Sequence, residues 1–410
     1  MKKLNTTVVR SHFPALAGTW AFFDNAGGAQ VPKQVGDKIL DYLYTTNVQH
    51  GASYKISVEG GNRVARAQKL WAKAINANEG SEIVFGSSAT ALLQNLSRSM
   101  AQQLVPGDEI IVTNCDHESN IGPWNSLKKH GIVIKEWKVN PHNYILEIDE
   151  LAKLITNQTK LVAFTHVSNI LGSINPVKEI TKFVHDNGAK VCVDGVAYAP
   201  HRLIDVQDWD VDYYVFSLYK VYGPHYSILF GKKQLLNELP GINHYFIGLD
   251  EVPYKLQPGN VNYELTYGSE GIINYFEDIY NQHFDDTSKP LYSQLVDIFD
   301  LISIHEEELS NTLIKFLNTK DNVIIIGENT SNKEVRVPTI SFIVKNIKSS
   351  SIPILVDPHN IAIRWGDFYA RRLIEDLGLS ELDGVIRISM IHYNTLEEVA
   401  SLIKVLDEIL

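Results

Sequence analysis

The chain has 410 residues and a formal net charge of −11, with 37 Lys and Arg against 48 Asp and Glu. An acidic chain without a basic run is a poor match for nucleic acid, whose phosphates reward clustered Lys and Arg. No stretch approaches about 18 apolar residues, and Met1-Lys2-Lys3-Leu4-Asn5-Thr6-Thr7 lacks an apolar core, so neither membrane insertion nor secretion is expected. The two cysteines, Cys115 and Cys192, have no metal-ligand spacing and imply no disulfide framework; a cytoplasmic protein without a bound metal fits.

In chain order, Val64, Ala67, Leu70, Trp71, Ala74 and Ile75 form a helical stripe. Glu82-Ile83-Val84-Phe85 reads as a strand, Gly86-Ser87-Ser88 as a turn, and Thr90 onward as a helix carrying Leu92, Leu93, Leu96, Met100 and Leu104. Pro106-Gly107-Asp108 breaks the chain before a strand at Glu109–Thr113. Further apolar strands are expected at 160–165, 190–194 and 212–217, with a helix at 177–187. Strands that are apolar throughout, alternating with helices, predict a large α/β domain over 14–289: a mainly parallel sheet covered by helices on both faces. After about residue 285 a long amphipathic helix (291–317), short strands (323–326, 339–344, 386–390) and polar loops predict a smaller C-terminal α+β domain over 290–410. The segment 1–13 is expected to pack near it.

Ligands of such sheets bind outside the carboxyl ends of the strands. Lys220 follows the apolar run Tyr213-Tyr214-Val215-Phe216-Ser217, and Gly223-Pro224 stops that run from continuing as a helix. A lysine at a buried strand end is pushed toward its neutral amine, the form that makes a Schiff base with an aldehyde cofactor. Asp194 ends another strand. An acid and an amine so placed suit the two poles of pyridoxal phosphate, the pyridine nitrogen and the aldehyde carbon. Each alone reads more simply as a helix cap or a surface lysine. The hydroxyls of Ser87 and Ser88 at a strand-to-helix turn, with Ser217 three residues before Lys220, add an anion site for the phosphate.

Several motifs in order resemble the class V aminotransferase family, in its cysteine desulfurase-like branch: Phe23-Asp24-Asn25-Ala26-Gly27, Gly86-Ser87-Ser88, Asp116-His117-Glu118-Ser119-Asn120, Ser168-Asn169-Ile170-Leu171-Gly172, Val193-Asp194-Gly195, Ser217 with Lys220, and Arg387-Ile388-Ser389. The resemblance implies a homodimeric pyridoxal-phosphate enzyme with shared active sites acting on a small amino acid. Lys220 would be the Schiff-base lysine and general acid/base, Asp194 the ring-nitrogen partner, and His117 would stack on the ring and assist proton transfer. Asn169 would bond the cofactor's O3′ or the substrate carboxylate, Arg387 would grip that carboxylate, and Ala26 and Gly27 would border the substrate. Ser87, Ser88, Ser217 and, from a neighbouring subunit, Asn260 would serve the phosphate.

Three departures concern the substrate. Tyr369 stands about where desulfurases carry the cysteine that takes up sulfur, and no cysteine follows Cys192. Ala197 replaces the family's glutamine, and Tyr219 replaces its histidine before the lysine. With Arg364 and Asp367, Tyr369 would line the side-chain pocket. Cys115, two residues before His117, reads first as a buried structural thiol. A phenol cannot accept sulfur as a thiolate does. The departures therefore favour a lyase that cleaves the C–S bond of cysteine, a cysteine S-conjugate or its sulfoxide. The alternatives are desulfurase or selenocysteine lyase activity, or a class V epimerase or aminotransferase; a non-catalytic protein is disfavoured by Lys220, Asp194 and Arg387 together.

Overall fold

The computed structural model describes residues 2–410. Its larger sheet has seven strands: β1 Ile83–Gly86, β2 Glu109–Thr113, β3 Val133–Trp137, β4 Thr159–Thr165, β5 Lys190–Asp194, β6 Tyr213–Ser217 and β7 Ser227–Gly231. Their spatial order is β1-β7-β6-β5-β4-β2-β3, parallel from β6 to β3, with β7 antiparallel to both of its neighbours. The inner strands are largely apolar because both of their faces are covered, whereas the edge strand β3 carries Lys135 and Glu136. Leu161, Ala163, Tyr213 and Val215 pack with Leu92, Leu93 and Leu96 of helix Ala89–Met100. The alternate residues Val162, Phe164, Val191 and Phe216 face Trp71 and Ile75 on the other side, as the two-residue period of a strand demands.

A second, antiparallel sheet is built from β8 Val323–Ile326, β9 Thr339–Val344, β10 Arg364–Gly366 and β11 Val385–Ser389, in the order β10-β11-β9-β8. Helices Leu291–Leu317 and Leu396–Ile409 cover it through Leu309, Leu313, Leu402 and Leu406, which pack on Ile340, Phe342, Ile386 and Ile388. Ala21–Phe22, a stretch placed with the larger unit on sequence grounds, pairs in parallel with Ile361–Ala362, and Phe23 joins the second sheet's core. The early chain is thereby tied to the smaller sheet. Among the described residues no helix is long and apolar enough to cross a membrane, and no His, Cys, Asp and Glu cluster could hold a metal ion.

The two sheets meet along the segment after β4. Ser341 Oγ donates to the Ile170 carbonyl (2.6 Å), and Val337 N–H donates to the Gly172 carbonyl (3.0 Å). Gly172 sits in this seam at φ +70°, and a Cβ there would lie 2.3 Å from the Thr339 carbonyl oxygen. Both the left-handed backbone and the contact require glycine. Gly172→Ala should therefore lower stability by at least about 1–3 kcal/mol. Denaturant unfolding checks this, and an unchanged midpoint would show that the seam yields freely.

Candidate active site

The carboxyl ends of β4, β5 and β6 and the turn after β2 open onto one cavity, and the sequence candidates converge there. Lys220 does not sit at the strand end itself, as expected, but on the 3-10 turn Leu218–Lys220 that follows β6. That turn is closed by Gly223 N–H donating to the Leu218 carbonyl, with Tyr222 at φ +62° just before Pro224. Lys220 is 7% exposed. Burial and then the charge of Arg387 push its pKa down, against the pull of Asp194 and Asp24, so the amine leans toward neutrality. Asp194 ends β5 and accepts from Val196 N–H (2.9 Å). Burial pushes its pKa up, opposed by that hydrogen bond and by Lys220.

At the far side of the cavity Ser88 caps helix Ala89–Met100, accepting from Ala91 N–H (3.1 Å), and lines the space with Ala89 and Thr90. Ser217 lines it too, its hydroxyl 3.1 Å from that of Ser227. Ser87 is exposed and does not line the cavity: Ser88, not Ser87, takes the extended N-cap conformation at the helix start. Asn260 is also exposed, bonded to the Tyr263 hydroxyl (2.5 Å), and lies outside this space. Asn169 donates to the Phe368 carbonyl (2.8 Å), which leaves its buried Oδ1 without a partner.

His117 borders the same cavity, its Nδ1 accepting from Ser119 N–H (3.0 Å) beside the Ser119 hydroxyl (2.8 Å). A backbone N–H can only donate, so Nδ1 is bare and the neutral ring carries its proton on Nε2. Burial, then Lys220 and Arg387, hold its pKa down to about 4. The ring therefore offers an Nε2–H to the cavity.

A second opening shares His117, Asn169, Tyr219 and Lys220 with the first and is closed by Ala26, Gly27, Phe368, Tyr369, Arg364 and Arg387. Arg387, on β11, is 2% exposed; it donates to Asp24 (3.0 Å) and to the Asn169 carbonyl (3.1 Å), and stacks 3.6 Å from the Phe368 ring centre. Its buried Nε has no partner. Arg364 lies on the rim, 3.6 Å from the other oxygen of Asp24. Tyr369 is 70% exposed, its ring centre 5.2 Å from that of His117. Asp367 Oδ1 accepts from Tyr369 N–H (2.9 Å).

Two residues of this site were not anticipated as functional. Asp24 pairs both arginines, and Asp116 fastens the turn that carries His117. The Asp116 carboxylate accepts from Thr165 N–H (2.9 Å) and Asn120 Nδ2 (2.6 Å) and also bonds the Thr113 hydroxyl. Burial, then the charge of Asp194, lifts its pKa to about 8. Both lie inside quoted motifs, so an acidic residue beside a motif Ala-Gly or His was the available signal. Cys115 and Cys192 are fully buried, and burial pushes the Cys115 thiol up to about 12.

Residues 21–402 match the family described as Aminotransferase class-V. The chain belongs to the class V aminotransferase family. It is 43% identical to "Aminotransferase-like protein FGM3" of Gibberella zeae over 98% of each chain, and 34% identical to "Cysteine desulfurase-like protein ustD" of Aspergillus flavus over 98% of this chain and 90% of that one. It is 30% identical to a cysteine desulfurase of Serratia proteamaculans, covering 98% of this chain and 97% of that one. The cysteine desulfurase of Thermococcus onnurineus has the same fold, with a TM-score of 0.86 at 24% identity over 100% and 99% of the two chains. This class V chain is a pyridoxal-phosphate enzyme of the cysteine desulfurase-like branch.

The residues present fit that cofactor. A helix N-terminus with Ser88 and Thr90 suits a phosphate, Asp194 a ring nitrogen, the orphaned Asn169 Oδ1 a hydroxyl donor, and Lys220 an aldehyde carbon. In this class V site Asp194→Asn should weaken cofactor binding and slow turnover about ten- to hundredfold, since a charge-assisted hydrogen bond contributes about 1.5–3 kcal/mol. Fluorescence titration with the cofactor and turnover at saturation measure both, and wild-type values in each would dismiss the role.

Arg387→Lys should raise KM for amino-acid substrates, because an ammonium cannot present the planar fork a carboxylate takes. The loss should be specific to substrates bearing an α-carboxylate. Equal losses with the decarboxylated amine would assign Arg387 elsewhere.

Proposed function

We propose that this enzyme is a lyase that breaks a C–S bond at Cβ of a cysteine-type amino acid: cysteine, a cysteine S-conjugate or its sulfoxide. The observation that carries the proposal is the absence of any thiol able to take up sulfur. Tyr369 occupies the rim where a carrier cysteine would be needed, and both cysteines are buried away from the opening. Pyridoxal phosphate, when bound, supplies the electron sink. Arg387, oriented by Asp24, holds the α-carboxylate. Lys220, whose pKa is pushed down by burial and by Arg387, takes the Cα proton. His117 would stack on the cofactor's ring and has an Nε2–H to donate. The Cβ–S bond then breaks with both electrons passing to sulfur, which leaves protonated, and hydrolysis of the three-carbon remainder gives pyruvate and ammonia. Two copies would share their active sites, with Asn260 of the partner subunit near the phosphate, in the cytoplasm.

The similarity to cysteine desulfurases supports a desulfurase reading, while selenocysteine-lyase, epimerase or aminotransferase chemistry would use the same Lys220. Incubation with cysteine and S-substituted cysteines separates them. Pyruvate with a free thiol or sulfide supports the lyase. A keto acid of the intact substrate, racemised substrate alone, or a persulfide trapped on Cys115 or Cys192 would each replace it. Tyr369→Phe should change selectivity among S-substituents more than it changes Cα proton exchange.

A further inference from the structure

Cleavage at Cβ needs two proton transfers: one off Cα and one onto the departing sulfur. Lys220 is engaged at Cα in the reading above. The other ionisable groups facing the cavity are accounted for. Asp194 faces a ring nitrogen, Asp24 is tied to Arg387 and Arg364, and His117 has Nδ1 capped by Ser119 and only a neutral N–H to offer. Tyr369 is on the rim and mostly in solvent. One phenol remains.

We propose that Tyr219 is a further catalytic residue, the acid that protonates the group leaving Cβ. Tyr219 directly precedes Lys220 on the same 3-10 turn and lines both openings, so it stands where the lysine end and the arginine end of the site join. Lys220 Nζ lies 5.8 Å from its ring centre. His225 stacks on the ring at 5.1 Å with an interplanar angle of 8°, and the backbone carbonyl of Tyr219 accepts from Ala29 N–H (3.0 Å). Burial, Asp194, Arg387 and Tyr369 govern its hydroxyl, with no hydrogen bond among them, so the proton is uncommitted. Burial and Asp194 push the pKa up, which keeps the phenol protonated as an acid must be. In the step, the C–S pair goes to sulfur, sulfur takes the Oη proton, and the phenolate recovers a proton from solvent water. No oxidant or further reactant is involved.

This assignment rests on the lyase reading, and the test separates the two. Full-length enzyme carrying its cofactor is given S-substituted cysteines in D2O. Cα exchange is followed by NMR, pyruvate is followed by coupled assay, and cofactor affinity by fluorescence. Tyr219→Phe should keep cofactor affinity and Cα exchange but release pyruvate about 10²–10⁴-fold more slowly, the usual contribution of a positioned acid. The defect should shrink as the leaving thiolate becomes less basic, and Tyr219→His should restore part of the rate. A merely structural role would not follow the leaving group. Pyruvate release unchanged, or falling equally for every leaving group together with Cα exchange, overturns the assignment to Tyr219. A wild-type enzyme that exchanges Cα hydrogen but yields no pyruvate overturns the lyase reading itself.

Discussion

Two cationic side chains, Lys220 and Arg387, are buried in the site, with the exposed Arg364 at its rim, and a buried charge must be paired or given up. Arg387 cannot shed its proton at ordinary pH, so it keeps Asp24, the Asn169 carbonyl and the Phe368 ring as permanent company. Asp24 is shared with Arg364, and Asp194 stands in an apolar sheet where its own charge is disfavoured. Lys220 is the group left to adjust, and it does so by leaning toward the amine. The state of Lys220 is therefore a consequence of how its neighbours are satisfied as much as of its own burial.

That balance depends on both sheets. Lys220, Asp194 and Asn169 come from segments that follow or end strands of the parallel sheet, whereas Arg387 and Arg364 face each other in register on β11 and β10 of the second. Asp24 reaches the arginines because the preceding residues, Ala21–Phe22, pair with the second unit's Ile361–Ala362 and Asp24 itself bridges to Ser389. The Asn169 carbonyl and amide, reaching Arg387 and Phe368 respectively, close the gap from the other side. A carboxylate bound at Arg387 is thus held by one layer while an amine bound near Lys220 is held by the other, and the distance between them is fixed by seam contacts such as Ser341 to Ile170.

Lys220 and Asp194 were legible in the sequence because each follows an unbroken apolar run, and the chemistry of a parallel sheet lies at the ends of such runs. The fold was legible for the same reason. What escaped depends on contacts far apart in the chain or on single dihedral angles. Asp24 acquires meaning only through Arg387 and Arg364, more than 300 residues away. Ser87 and Ser88 are chemically alike, and only the N-cap geometry of Ser88 separates them. The His117 tautomer is set by the backbone amide of Ser119, which no composition argument sees. The edge strand β3 escaped because Lys135 and Glu136 interrupt it, and β7 because three apolar residues between Ser227 and Gly231 are too short a run to distinguish from a buried turn.

The stretch 366–370 shows what kind of wall the site has. Phe368 and Tyr369 both occupy the left-handed region, at φ +50° and +62°, a conformation that costs a residue with a side chain roughly 1–2 kcal/mol each. Hydrogen bonds hold it: Asn169 to the Phe368 carbonyl, Glu118 N–H to the Tyr369 carbonyl (2.8 Å), Tyr369 N–H to the Asp367 carboxylate and Ala370 N–H to the Asp367 carbonyl (2.8 Å). Glu118 is itself paired with Arg372 (3.1 Å) just beyond the loop. The strain turns the Phe368 ring under Arg387 and sets Tyr369 beside His117. Moving this segment out of the site would break these bonds and uncover the face of Arg387 that Phe368 now shields, so the strain at Phe368 and Tyr369 is carried by a loop fastened at both of its faces.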